Sequence, residues 1–208
     1  EPMTQETVYT YEELGKVKSV TMADTGAQSY LYDKNRNLIA QLDAGGRLTT
    51  FAYDDANRRT DVWQFVTLQS LADGIPDPTP GTDLHTYTRP DANGNVDFIR
   101  DPKGQETTLV YDHLDREETQ TYRESAGGPV VLTVTTGYDG NGNPTSVLQD
   151  FASDPPEDDD TETMVYDHLD RLRSKTVALG NGTAPVTVTY GYFDNGSALT
   201  FRSNRTST

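Results

Sequence analysis

The chain has 208 residues and carries 33 acidic against 17 basic side chains, a formal net charge of −16. Nucleic acid and anionic membrane faces both call for a basic footprint, so this balance argues against either as the partner. The absence of cysteine excludes disulfide frameworks and thiolate metal sites, and no apolar run reaches membrane-spanning length.

Leu, Ile, Val and Phe sum to 40 residues, about a fifth of the chain, which at this net charge leans towards disorder. The placement of the 12 tyrosines points the other way. They recur in fixed local contexts, and a tyrosine ring buries as much apolar surface as an aliphatic side chain. The chain opens at Glu1 and closes on polar residues with no visible signal peptide. It is expected to be a segment of a longer protein.

In chain order, Tyr11-Glu-Glu-Leu-Gly15 opens a series that continues with Tyr32-Asp33-Lys-Asn-Arg36 and Tyr53-Asp54-Asp-Ala-Asn57. Pro90-Asp91-Ala-Asn-Gly94 is the same segment with proline in the tyrosine place. Tyr111-Asp112-His-Leu-Asp115, Tyr138-Asp139-Gly-Asn-Gly142 and Tyr166-Asp167-His-Leu-Asp170 follow, and Tyr192-Phe-Asp-Asn-Gly196 closes the series. The stretch Val110 to Arg116 recurs unchanged at Val165 to Arg171. Tyr11 to Tyr32, Tyr32 to Tyr53 and Pro90 to Tyr111 are equal intervals, and so short a period marks stacked repeats.

A fainter second half lies ten positions after Asp33 and Asp91, at Asp43-Ala-Gly-Gly46 and Asp101-Pro-Lys-Gly104. Asp, Asn and Gly clusters of this kind supply hairpin turns. Between them run short segments such as Thr49 to Tyr53, Thr107 to Tyr111 and Glu162 to Tyr166. Alternation puts Tyr30 with Tyr32, Phe51 with Tyr53, Leu109 with Tyr111 and Met164 with Tyr166 on common faces. The predicted unit is strand, turn, strand, turn. The regularity breaks at residues 64–86, 123–136, 152–163 and 179–185, insertions expected at one rim, the second of which carries a Gly127-Gly128-Pro129 turn and then the strand-like Val130 to Val134. The spacing of Phe65, Leu68 and Leu71 also suggests a short helix near residue 68. The predicted fold is all-β: repeated antiparallel hairpins stacked into a curved, solenoid-like sheet, one array over residues 1–208.

The Tyr-Asp-x-x-Gly-Arg/Asn pattern, with Asp-x-x-Gly some ten positions on, resembles the Rhs or YD-repeat family. The match is carried by Tyr32-Asp33, Asp43 to Arg47, Tyr53-Asp54, Asp91 to Asn95, Asp101 to Gln105, Tyr111-Asp112, Tyr138 to Asn143 and Tyr166 to Arg171. The resemblance implies β-sheets that roll into a hollow shell, as in bacterial polymorphic toxins and the teneurin-like barrel. By that implication the chain is part of a wall in a large bacterial secreted or surface protein, enclosing or displaying a C-terminal effector and packing against other repeats of its parent. Tyr11-Glu12 lacks the aspartate, and Asn57, Asp115 and Asp170 stand where the pattern has glycine, residues that tolerate the left-handed backbone.

Other chemistry finds less support. Asp91, Asn93, Asn95 and Asp97 alternate as in a calcium loop, but Val96 and Pro102 occupy the positions that need Gly and Glu. The acidic run Glu157 to Asp160 with Glu162 reads as a solvated loop. His113 and His168 fall on turns, His85 in an insertion, and no zinc spacing appears. No nucleophile elbow or phosphate loop is present. The expectation is no enzyme, no cofactor and no metal. Carbohydrate or receptor recognition by exposed tyrosines and carboxylates is the alternative. The open edges of such a sheet also imply self-association through edge strands.

Overall fold

The computed structural model describes residues 6–22, 26–152, 159–193 and 198–203, the last stretch by its backbone alone. Every regular element among the described residues is a β-strand. The chain divides into two compact units, residues 1–103 and 104–208.

The first unit holds β1 (Thr7–Tyr11), β2 (Val17–Met22), β3 (Gly26–Tyr32), β4 (Leu38–Leu42), β5 (Leu48–Tyr53), β6 (Arg59–Gln64), β7 (Leu84–Pro90) and β8 (Val96–Arg100). Each pairs antiparallel with the next. The second holds β9 (Glu106–Tyr111), β10 (Glu117–Arg123), β11 (Val130–Tyr138), β12 (Pro144–Phe151), β13 (Asp160–Tyr166), β14 (Leu172–Ala178), β15 (Val186–Tyr192) and β16 (Ala198–Ser203). These too pair in chain order. Threonine, valine and tyrosine dominate the strands, as side chains that pack on a pleated, half-buried surface should.

A meander sends alternate connections to opposite ends of its strands. In each unit, every Tyr-Asp turn therefore falls on one rim, and the connections 43–47, 65–83, 124–129 and 179–185 fall on the other. The irregular stretches are narrower than the sequence spacing suggested. Thr86 lies in β7 and Thr161 to Thr163 in β13, while the strand-like Val130 to Val134 opens β11 as expected.

The strands that leave the Tyr-Asp turns share a feature absent from the sequence reading. Tyr32 pairs with Leu38 but Leu31 pairs with Ala40, so Ile39 is an extra residue. Thr60, Glu118, Thr145 and Arg173 are extra in the same way. A bulge thus follows each of these turns, bending the strand and raising its local twist.

The apolar interior is thin. In the first unit Ala40, Leu48 and Phe65 are buried, with Leu31, Leu42, Trp63 and Leu71 packed against them. In the second, Leu109 is buried. The helix suggested near residue 68 does not form. The Phe65 N–H donates instead to the Leu48 carbonyl at 3.0 Å and the Gln69 N–H to the Gly46 carbonyl at 2.8 Å. The segment therefore runs irregularly along the start of β5, burying Phe65 while Leu68 stays exposed. Three spaced apolar residues mimicked a helical face because two of them, Phe65 and Leu71, cap the same small core.

Carboxylates pin the loops of this second rim. Asp83, 8% exposed, accepts the Val66 N–H at 2.9 Å and the Thr79 N–H at 2.8 Å. Glu106, 6% exposed, accepts the Gly127 N–H at 3.0 Å. Asp160 accepts the Gly180 N–H at 3.1 Å. Of the predicted acidic loop, Glu157 and Asp158 lie outside the described residues, while Glu162 pairs with Lys175 at 2.7 Å.

Leu48→Ala should lower the unfolding free energy by about 2–5 kcal/mol in urea titration. Leu114→Ala, at an exposed turn position, should change it by less than about 0.5 kcal/mol. Equal effects would mean that the Leu48 cluster is not a core.

Candidate functional site

Most of the residues singled out by the sequence lie, in each unit, on the Tyr-Asp rim, where each turn is built the same way. At 112–116 the Asp115 N–H donates to the Asp112 carbonyl at 3.1 Å, and the Asp112 N–H donates to the Arg116 carbonyl at 2.8 Å. The residue before the last adopts the left-handed backbone: φ is 71° at Arg36, 61° at Asn57, and 58° at both Asp115 and Asp170. This is a type I turn closed by a left-handed residue, the usual three-residue hairpin loop. Gly94 and Gly142 fill that position at φ 101° and 95°. The sequence reading anticipated Asn and Asp there but not Arg36.

The aspartate that opens the turn uses both oxygens. Asp112 Oδ1 accepts the N–H groups of Leu114 at 2.8 Å and Arg116 at 3.0 Å, and Oδ2 takes Arg116 Nε at 2.7 Å. Asp167 repeats this with Leu169 and Arg171. Asp54 holds Ala56 and Arg58 in the same manner. Asp33 and Asp139 hold the side-chain amides of Asn37 and Asn143, each at 3.0 Å. Asp91 accepts the Gly94 and Asn95 N–H groups at 2.8 and 2.9 Å, so its carboxylate is committed to the turn. On the opposite rim Asp43 accepts the Gly45 and Arg47 N–H groups, and Asp101 that of Lys103. Gly46 and Gly104 stand at φ 81° and 83°. The Glu12 turn keeps the backbone pattern, with the Gly15 N–H on the Glu12 carbonyl at 2.9 Å.

The tyrosines join successive turns. Tyr32 donates its hydroxyl to the Val17 carbonyl at 3.2 Å, Tyr53 to Leu38 at 2.9 Å, Tyr138 to Glu117 at 2.8 Å and Tyr192 to Leu172 at 2.7 Å. Each acceptor is the first strand residue after the preceding turn, beside its bulge. Where Pro90 replaces tyrosine, Thr88 Oγ1 reaches the equivalent carbonyl of Arg59 at 3.1 Å. Cations lie over the rings. Lys16 Nζ is 4.5 Å from the Tyr32 centroid, and the Arg116 and Arg171 guanidiniums are each 4.5 Å from Tyr138 and Tyr192. Tyr111 and Tyr166 are half-buried, whereas Tyr11 is exposed. Gly196 lies outside the described residues.

The Arg/Asn place of the sequence pattern holds Lys16, Arg58, Arg116 and Arg171 at a fixed offset from the turn's first residue, but their contacts with the opening aspartate and the following ring leave no mark in the sequence. His113 and His168 sit exposed on turns. His85 was expected in an insertion but belongs to β7, where it stacks on Trp63 at 3.9 Å and meets Asp61 Oδ1 through Nε2 at 2.8 Å. Tyr87 and Phe98 extend this aromatic strip across β7 and β8. Among the described residues no three His, Asp or Glu side chains gather as a metal would require.

Residues 32–62, from the end of β3 into β6, match the family described as RHS Repeat. The resemblance read from Tyr32-Asp33 and Tyr53-Asp54 falls within the matched stretch. No curated protein matches the sequence. Among solved structures, the crystal structure of TcdB2-TccC3 superimposes with a TM-score of 0.72 at 18% identity, over 94% of this chain. The crystal structure of TcdB2-TccC3-Cdc42 does so with a TM-score of 0.51 at 14% identity, over 97% of this chain. This chain spans only 11% and 12% of those structures' lengths, and at such identities the likeness is one of fold.

The Arg116 guanidinium beside Asp112 holds that carboxyl well below its ordinary range, at about 2, and Arg171 does the same for Asp167. An unfolded aspartate titrates near about 4. Because the folded value is depressed, the stabilisation is complete above pH about 4 and is lost as pH falls through about 2. Acid unfolding followed by circular dichroism should show that window. Asp112→Asn together with Asp167→Asn should weaken the pH dependence within it. An unchanged acid profile in the double variant would remove these two carboxylates as its source.

Proposed function

We propose that this chain is a wall segment: a stretch of hairpin repeats in a large secreted or surface Rhs-type protein of bacterial origin, whose sheet encloses or displays an effector domain. The observation that carries this reading is the consumption of the repeat's own chemistry within the sheet. Carboxylates close turns, cations cover tyrosine rings, and tyrosine hydroxyls take carbonyls of the hairpin before. The repeated polar groups are spent on building a surface, with a thin apolar interior to support it. The assigned role is structural rather than catalytic, and the immediate partners are other repeats of the same parent, in one continuous array.

Isolating the parent polypeptide with an antibody to this segment, and measuring its intact mass, tests the proposal. A chain many times longer than 208 residues, retaining a cleaved C-terminal piece, is the expected result. A short parent with no enclosed or appended domain would overturn it.

One observation favours recognition as a second reading. Trp63, His85, Tyr87 and Phe98 form a half-buried strip with Asp61 and Arg89 beside it, a combination suited to stacking and hydrogen bonding a sugar. Trp63 is the single tryptophan of the chain, so its fluorescence reports on this strip alone. Saturable quenching or a spectral shift with an oligosaccharide series would support recognition. A flat response across the series would remove it.

A further inference from the structure

The Tyr-Asp turns come in two kinds, distinguished by their last residue. In chain order that residue is Lys16, Asn37, Arg58, Asn95, Arg116, Asn143 and Arg171, so cation and asparagine alternate through these seven turns, while the eighth turn of the series, after Tyr192, has Ser197 in that place. The two kinds hold the following turn differently.

The asparagine kind grips a side chain. Asn35 and Asn37 donate from Nδ2 to Asn57 Oδ1 at 3.0 and 2.8 Å. In the second unit Asn141 and Asn143 both donate to Asp170 Oδ1 at 2.8 Å. The receiving residue is in each case the left-handed residue of the next turn. The cationic kind grips backbone, and the ring where a tyrosine follows. Arg58 Nη1 donates to the Asp91 carbonyl at 2.6 Å and Arg116 Nη1 to the Asp139 carbonyl at 3.3 Å. Lys16 donates to the Arg36 carbonyl and lies over Tyr32. The left-handed residue that follows a cationic turn is Arg36, Gly94 or Gly142, none of which offers a side-chain acceptor.

We infer that the left-handed residue of each turn is a neighbour-selecting position: Asn or Asp there accepts an asparagine-type turn, Gly or Arg accepts a cationic one. Asn57 and Asp170 are then more than tolerated substitutes for glycine. They are the receiving half of an interlock, and the structural repeat is two hairpins long. The inference rests on the wall reading for its biological meaning, because ordered stacking matters only where many hairpins must line up. Its physical content is independent of anything the wall encloses.

Backbone preference and the interlock predict opposite signs at one residue. Glycine adopts the left-handed backbone without the penalty other residues meet, so Asn57→Gly should raise the thermal midpoint if conformation alone matters. If the interlock operates, Asn57→Gly and Asp170→Gly in the full chain should each lower it, by about 2–4 °C. Arg36→Gly, which removes no acceptor, should leave the midpoint unchanged or raise it. Combining Asn37→Arg with Asn57→Gly rebuilds a cationic interface facing Tyr53, and should recover most of the loss seen in Asn57→Gly. A raised or unchanged midpoint in both Asn57→Gly and Asp170→Gly would overturn the inference. So would failure of the paired variant to recover. The parent-mass experiment can fail without touching these outcomes, and the reverse also holds.

Discussion

An aspartate carboxylate that accepts backbone N–H groups is the interaction on which the rest of this structure depends. A hairpin loop leaves amide donors with no strand partner, and a buried donor left unpaired is costly. Asp33, Asp54, Asp91, Asp112, Asp139 and Asp167 satisfy those donors within their own turns. Asp83, Glu106 and Asp160 do the same for loops on the opposite rim. Much of the acidity that first reads as a property of the surface is therefore internal wiring. It also explains how a chain with so little aliphatic content holds a fixed form. What the apolar interior lacks is offset by carboxylates at the places where the backbone turns.

The second oxygen of the same carboxylate links this local job to the neighbouring hairpin. By fixing the Arg116 guanidinium, Asp112 sets it over the Tyr138 ring and within reach of the Asp139 carbonyl. Tyr138 in turn donates to Glu117, beside the bulge of the earlier hairpin. The links run in both directions between two turns, so neither turn is positioned alone. Cross-strand pairs stabilise a sheet along its strands. Here a further set acts across the rim, between turns that a whole hairpin separates in the sequence.

The repeat and its turns were legible because they depend on residues close in sequence: an aspartate, a left-handed residue three places on, and a period-two strand on each side. The bulges were not. Ile39, Thr60, Glu118, Thr145 and Arg173 occupy equivalent places and share no chemical type, so the extra residue leaves no mark in composition. The ring–cation and hydroxyl–carbonyl links were hidden for another reason. They join turns whose spacing varies with the loop between them: the short connection 43–47 separates Asp33 from Asp54, and the long connection 65–83 separates Asp54 from Asp91. His85 and Phe65 show the converse failure. Both lie at the margins of an irregular stretch, and tertiary contacts with Trp63 and Leu48 decide their conformation.

The two rims differ in what they can absorb over evolutionary time. On the Tyr-Asp rim, adding or deleting one residue would shift a carboxylate, a cation and a hydroxyl together, and each has its counterpart on an adjoining turn. On the other rim the connections range from the tight 43–47 to the long 65–83, which Asp83 moors together with two backbone bonds to the start of β5. New sequence can therefore accumulate on that side while the weave beside it stays in phase. A lineage of such proteins would diversify along one margin only, and a designer grafting a foreign loop would choose the same margin.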